Sequence, residues 1–144
     1  MRAERCGMRR FDASGSRCAD VCPTGAIERV GRDMTVGQVM EEVRGDVSYF
    51  RHSGGGVTLS GGEPMAQFRF TAALLEALRR EGIHTAIETS GQGRLSDFLR
   101  AQPMTDLWLW DVKSLDGELY EKYTGLPLAA MLDNLRAVHR AGGN

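Results

Sequence analysis

Apolar residues recur every three or four positions in three stretches of the chain, which predicts three amphipathic helices. The first begins after Thr35, because Thr35 and Gln38 have the spacing of a capping box. The second ends at Gly82, a residue suited to the left-handed turn that closes a helix. The third runs from about Leu128 to Ala141. The apolar faces of the first two helices consist of Val36, Val39, Met40, Val43 and Val47, and of Phe70, Leu74, Leu75 and Leu78.

Three β-rich runs alternate with these helices, and a short helix near Leu95 to Ala101 separates the last two; the runs are Val57 to Ser60, Thr85 to Thr89 and Leu107 to Val112. Such alternation is typical of a parallel sheet with right-handed crossovers. A complete eight-unit barrel needs about 250 residues, so 144 residues accommodate only part of one. The predicted fold class is α/β, a partial barrel of three strand-helix units with exposed sheet edges.

The composition excludes several classes of function. A formal net charge of −1 provides no electrostatic basis for binding nucleic acid or anionic membranes. No apolar run approaches the roughly 20 residues of a membrane span, and the first residues lack the apolar stretch of a signal peptide. Three cysteines, two of them closely spaced, suit the reducing cytosol better than a disulfide framework. The sequence therefore predicts a cytoplasmic protein.

The run Ser60-Gly61-Gly62-Glu63-Pro64 follows the first predicted strand. Glycine has no Cβ, so the backbone here can approach a ligand closely, and proline stiffens the turn by fixing its own φ. Parallel α/β folds bind ligands at the carboxyl ends of their strands. Taken alone, the run is equally consistent with a tight turn in which the proline begins a helix.

Polar residues also end the other two strands. Glu88, Thr89 and Ser90 end the second strand, and Asp111 and Lys113 end the third. Asp111 and Lys113 are two residues apart, so their side chains share one face of the strand. Both groups are consistent with a binding site. They are also consistent with a solvated strand end and with an exposed ion pair worth less than about 1 kcal/mol.

The first part of the chain, residues 1–31, shows no periodic pattern and carries all three cysteines. Cys18 and Cys22 have the spacing Cys-x3-Cys-Pro, which is typical of the end of a bacterial ferredoxin motif. Eleven residues separate Cys6 from Cys18. Cys6 is either an earlier cluster ligand displaced by a loop insertion or an isolated thiol. The predicted domains are a ferredoxin-like cluster-binding remnant, 1–31, and the partial barrel, 32–144.

Four ordered motifs resemble the radical S-adenosylmethionine (SAM) superfamily, and within it the activating enzymes of glycyl-radical enzymes, the pyruvate formate-lyase activase group. They are the GGEP run within Gly54 to Gln67, the segment Gly82 to Gly91, Asp111-Val112-Lys113, and Tyr123-Thr124-Gly125. The resemblance extends from about Cys18 to the C-terminus. A single GGEP run is a weak signal, whereas four motifs in this order at these spacings are specific.

The resemblance implies that the backbone of Ser60-Gly61-Gly62-Glu63-Pro64 binds the amino group of SAM, with Glu63 compensating the ammonium charge. It places Glu88 and Thr89 near the methionine and ribose of SAM and near a monovalent cation, with Ser90 beside them in the cofactor site. Oxygen atoms are suitable ligands for such an ion. Asp111 is expected near the same cation. Lys113 is expected near the carboxylate of SAM.

The resemblance also implies an activity. In complete family members, a 4Fe-4S cluster held by Cys-x3-Cys-x2-Cys transfers an electron to SAM, which is cleaved into methionine and a 5′-deoxyadenosyl radical. That radical removes a hydrogen atom from a glycine of a partner enzyme. This sequence departs from that motif, because Gly25 stands where the third cysteine belongs. We therefore expect an internal fragment that contributes SAM-binding residues and an accessory cluster site, with Cys6, Cys18 and Cys22 as ligands, and that is inactive by itself.

The implied partners are a glycyl-radical enzyme, as protein substrate, and reduced flavodoxin or ferredoxin, as electron donor. Two alternatives from other classes stay open. One is a different radical SAM reaction on the same scaffold, and the other is a non-catalytic iron-sulfur or SAM-binding module.

Overall fold

The computed structural model describes residues 19–20, 22–28 and 30–144. The chain forms two compact units, Met1–Met34 and Thr35–Asn144. The second unit contains a three-stranded parallel sheet with helices between and after its strands, which confirms the predicted α/β class. The assignment of a cluster-binding remnant to 1–31 and of a partial barrel to 32–144 stays a prediction.

Strands and helices alternate along the second unit, which also contains two short 3-10 helices, Pro64–Gln67 and Gln102–Met104. The elements in chain order are α1 (Val36–Ser53), β1 (Gly56–Leu59), α2 (Phe68–Arg80), β2 (His84–Thr89), α3 (Leu95–Ala101), β3 (Leu107–Trp110), α4 (Gly117–Thr124) and α5 (Leu128–Arg140).

Both predicted helix ends are confirmed by their hydrogen bonds. Gln38 N donates to Thr35 Oγ1 over 3.3 Å, and Thr35 N donates to Gln38 Oε1 over 2.8 Å, which completes the capping box of α1. At the end of α2, Gly82 has a φ of +67°. Its N–H donates to Arg79 O and the N–H of Ile83 donates to Leu78 O, so the last turn is closed as a glycine permits.

Helix α4 is absent from the sequence-based prediction. Its N-cap is Asp116, whose carboxylate accepts from the N–H groups of Glu118 and Leu119, and its C-cap is Gly125, which has a φ of +72°. Among its residues only Tyr120 is buried, so the helix has no repeating apolar face to reveal it. Strand β3 is also shorter than predicted and ends at Trp110, two residues before Val112.

The strand order is β1-β2-β3, and every pair is parallel. In the register Ala86 lies between Thr58 and Leu107. At the start of β1 the chains approach so closely that a Cβ on Gly56 would lie 2.0 Å from the carbonyl oxygen of His84. Only glycine fits there, which is why the strand can begin directly beside its neighbour.

Helices cover one face of the sheet. The register places three buried residues of the covered face side by side: Leu59, Ile87 and Trp108. They share one hydrophobic core with residues from four helices, among them Met40, Leu75, Phe98 and Val138. The opposite face, which we call the open face, presents exposed side chains on all three strands: Thr58, Glu88 and Leu109.

The prediction of exposed outer edges needs one correction. Trp108 N donates to the carbonyl oxygen of Asn144 over 2.9 Å, so the end of the chain covers part of the β3 edge. None of the helices in the described part of the chain has the length and apolarity required to cross a membrane.

Candidate functional site

The carboxyl ends of the three strands carry the polar residues singled out in the sequence. Ser60, directly after β1, donates its hydroxyl to Glu88 Oε2 over 2.7 Å. Asp111, directly after β3, donates its backbone N–H to the carbonyl oxygen of Thr89 over 2.9 Å. Because the carboxyl termini of parallel strands lie at the same end of a sheet, these contacts connect the segments that follow all three strands. The three polar segments therefore lie together at one end of the sheet.

Glu63 joins the first of these segments to the second. Its Oε1 accepts from Met65 N, 3.0 Å, and from the Thr89 hydroxyl, 2.8 Å. Its Oε2 accepts from the N–H and the hydroxyl of Ser90, at 2.9 and 2.6 Å. Each carboxylate oxygen thus accepts two hydrogen bonds from the chain itself. Hydrogen bonds to an ionised acceptor are the stronger kind, so Glu63 holds the GGEP turn against the end of β2.

The turn before Glu63 presents open backbone. Gly61 has a φ of +115°, which L side chains rarely adopt, and no atom lies within 4 Å of the position of a Cβ on either Gly61 or Gly62. Pro64 is the first residue of the 3-10 helix that follows. The simple turn with a helix-entry proline is therefore present in the structure. It leaves the two glycines exposed at the sheet edge.

The three residues at the end of β2 differ in what their side chains reach. Glu88 is exposed on the open face and accepts from Ser60. Thr89 is only 2% exposed, and its hydroxyl donates to Glu63 and accepts from Gly91 N over 3.0 Å. Glu88 is the one charged residue of the three and is exposed to solvent, whereas the neutral side chains of Thr89 and Ser90 donate to Glu63.

Asp111 and Lys113 form an ion pair with each other beside these residues. Their side chains are 44% and 58% exposed respectively, so water screens their attraction. The geometry is that of the exposed ion pair considered in the sequence analysis. An exposed pair is also one that either partner can leave at little cost when a ligand offers another charge.

Asn134, which the sequence analysis missed, holds the loop after β2. Asn134 on α5 is 4% exposed, and its Nδ2 donates to the carbonyl oxygens of Gly91, 2.9 Å, and Gly93, 3.2 Å. Gly91 has a φ of +75°, and a Cβ there would lie 2.5 Å from Met131 Cγ and 2.7 Å from Trp110 Cζ3. A polar residue within the apolar face of a helix, between Met131 and Val138, is the signal that could have identified Asn134.

Of the three candidate metal ligands, Cys22 is the one that the structure describes; Cys6 and Cys18 lie outside the described residues. The Thr24 hydroxyl, 3.7 Å from the sulfur, and nearby backbone N–H groups, that of Ile27 first among them, lower the pKa of Cys22 to about 7. A thiol that ionises this readily suits iron, which is bound by thiolate. Within residues 19–20, 22–28 and 30–144, no three His, Cys, Asp or Glu side chains form a metal-binding group.

A family model, described as the Radical SAM superfamily, matches residues 17–144. Among the curated relatives, the isethionate sulfite-lyase activating enzyme of Nitratidesulfovibrio vulgaris is 40% identical over 84% of this chain and 39% of its own length. The pyruvate formate-lyase 2-activating enzyme of Escherichia coli is 41% identical over 89% of this chain and 44% of its own length. The chain thus spans about two fifths of the length of such relatives.

One solved structure supports the same assignment. The crystal structure of a domain of pyruvate-formate lyase-activating enzyme from Bacteroides vulgatus superposes with a TM-score of 0.57 at 31% identity, over 62% of this chain and 55% of that one. The structural likeness agrees with the α/β class of the fold. Since the family model covers nearly the whole sequence, the chain belongs to the radical SAM superfamily.

Proposed function

We propose that this chain is the SAM-binding part of an activating enzyme that generates a glycyl radical on a partner enzyme by reductive cleavage of SAM. The observation that carries the proposal is the Glu63 network, which holds an exposed Gly61-Gly62 backbone beside Glu88 at the carboxyl edge of the sheet. The relatives, which are activating enzymes, support the same activity.

The residues divide into those that bind and those that hold. The open backbone at Gly61 and Gly62 is suited to the amino group of SAM, while Glu63, Pro64, Thr89 and Ser90 keep that backbone in place. Glu63 is therefore proposed to act mainly through the loop, because its four accepted hydrogen bonds leave little capacity for a ligand ammonium.

The exposed charges complete the proposed site. Lys113 exchanges its exposed bond with Asp111 for the carboxylate of SAM. Asp111 and Glu88 then present oxygen atoms to a monovalent cation, for which carboxylates are suitable ligands. Ser60 fixes the orientation of Glu88 through their 2.7 Å hydrogen bond.

Iron-sulfur chemistry is proposed to have two components. Cys18, Cys22 and Cys6 are the candidate ligands of an accessory 4Fe-4S cluster. The cluster that coordinates SAM and supplies the electron needs Cys-x3-Cys-x2-Cys, which these 144 residues do not contain. We infer a reduced flavodoxin or ferredoxin as the electron donor, a glycyl-radical enzyme as the protein substrate, and the cytoplasm as the location.

The decisive assay is anaerobic formation of 5′-deoxyadenosine from SAM with dithionite. We expect none from the 144-residue chain, and turnover when a segment bearing Cys-x3-Cys-x2-Cys is fused before it and the further strands of a complete barrel are fused after it. In the fused protein, Asp111→Ala and Lys113→Ala should lower turnover. The same changes at exposed positions away from the site, Asp133→Ala and Lys122→Ala, should not. Equal losses at both pairs of positions would contradict the proposed site.

A second candidate function is a SAM- or iron-binding module without catalysis. Anaerobic iron reconstitution of the chain tests whether its cysteines bind iron. We expect less than the full complement of four irons per chain, because three thiols leave one iron of the cluster without a thiolate ligand and so make it labile. We also expect loss of the iron in a Cys18→Ala, Cys22→Ala variant. A full complement that survives this double substitution would remove the cysteines from the assignment. A fused protein that binds SAM without ever cleaving it would favour the module.

A further inference from the structure

A groove lies beside the segment that follows the GGEP run, and its lining includes none of the residues that define the open face. It has a volume of about 790 Å³, and its walls are the 3-10 helix and first turn of α2 on one side and the start and end of α3 on the other. Three of its lining residues are the exposed arginines Arg69, Arg94 and Arg100. Cavities of this size are typical of small-molecule sites.

The arginines of the groove are not neutralised by neighbouring carboxylates. Asp97 is the one acidic residue of its lining, and among the described residues none of the three arginines lies within ion-pair distance of an Asp or Glu. Exposed arginines elsewhere do pair, as Arg80 does with Glu76. The groove therefore concentrates positive charge inside a concavity, where field lines are focused.

One of these guanidinium groups is restrained before any ligand arrives. The Arg100 guanidinium lies 5.0 Å from the centre of the Phe68 ring, a cation–π contact that limits its motion. Phe68 also begins α2, and the preceding Gln67 makes no side-chain cap. The first turn of α2 thus forms part of the groove wall.

We propose that this groove binds a diphosphate group. The guanidinium fork donates two parallel hydrogen bonds to phosphate oxygens. Three such groups line the groove from two separate parts of the chain, which favours a ligand that carries several negative charges. A diphosphate occurs free, as pyrophosphate, or as part of a nucleotide such as ADP.

Binding there would bridge the two loops of the candidate SAM site. Arg69 lies beyond the GGEP segment and Arg94 directly follows Gly93. The loop after β2 and the segment after the GGEP run already lie close together, because a Cβ added to Gly93 would be 3.4 Å from Met65 Cβ. The proposal does not rest on SAM chemistry, so it can fail while the proposed function holds.

Isothermal titration of the full chain with pyrophosphate, and separately with ADP, tests the proposal. We expect saturable binding of at least one probe and about a tenfold loss of affinity in each of Arg69→Gln, Arg94→Gln and Arg100→Gln, as for the loss of one charged hydrogen bond. Arg79→Gln on α2 and Arg136→Gln on α5 remove the same charge outside the groove and should leave affinity unchanged. Circular dichroism establishes that each variant is folded.

The remaining outcomes identify the source of the diphosphate or overturn the proposal. Tighter binding of ADP than of pyrophosphate identifies a nucleotide as the source of the diphosphate, and the reverse identifies the free anion. Arg100→Lys keeps the charge but not the fork, so it should weaken binding as well. Absence of binding by both probes, or equal losses in the groove and control variants, would overturn the proposal.

Discussion

Replacing Gly91 by alanine tests how the loop after β2 is held. Gly91 has a φ of +75°, and the new Cβ would lie 2.5 Å from Met131 Cγ and 2.7 Å from Trp110 Cζ3. Two separate costs follow. The left-handed backbone conformation is unfavourable for any residue with a Cβ, and the methyl group overlaps two side chains that pack beside the loop.

The structure supplies a control that separates these costs. Gly125 has nearly the same φ, +72°, but no atom lies within 4 Å of its Cβ position. Gly125→Ala should therefore lower the free energy of unfolding by the backbone cost alone, about 1–2 kcal/mol. Gly91→Ala should lower it by that amount and by a further cost of about 1–3 kcal/mol from overpacking.

Urea unfolding followed by circular dichroism measures both variants. With a denaturant slope of about 1–3 kcal/mol per molar urea, the two midpoints should differ by roughly 1 M. Tryptophan fluorescence is unsuitable as the primary signal, because Trp110 is itself displaced by the new methyl group. Equal midpoints for the two variants would refute the reasoning, since they would mean that Met131 and Trp110 do not confine Gly91.

Three further outcomes are expected from the same region and from the cysteine. Glu63→Gln replaces one accepting oxygen by a donor, so it should lower the free energy of unfolding by about 2 kcal/mol and accelerate amide hydrogen exchange at Ser90. Unchanged exchange would mean that Glu63 does not hold the GGEP turn against the end of β2. Asn134→Ala removes both bonds to the loop and should cost about 2 kcal/mol by thermal or urea unfolding, whereas a neutral result would mean that water replaces the amide. The pKa of Cys22 is lowered to about 7, chiefly by the Thr24 hydroxyl, so its alkylation, followed by peptide mass spectrometry, should reach half its maximal rate near pH 7. Thr24→Val should move that midpoint upward, and an unmoved midpoint would exclude the hydroxyl as the cause.

Features that depend on neighbouring residues could be read from the sequence. The capping box of α1, the closing glycine of α2 and the alternation of strands and helices all follow from interactions over a few positions. The parallel class then follows from the alternation, because parallel neighbours need a crossover. The same logic places Ser60, Glu88 and Asp111 at one sheet edge, and the structure agrees. Helix α4 was not predicted from the sequence, because Tyr120 is its one buried residue and it shows no apolar periodicity.

Only the tertiary structure decided how those polar residues are used. Thr89 and Glu88 are adjacent in sequence, but the pleat sends one to Glu63 and the other to the open face. Thr89 and Ser90, which donate to Glu63, lie 26 and 27 positions from it in the sequence. Asn134 donates to Gly91, which lies 43 positions away. Such contacts depend on strand register and on how α5 packs, which no local pattern contains. The sequence therefore determined which segments meet, and the packing determined which of their atoms remain free to bind.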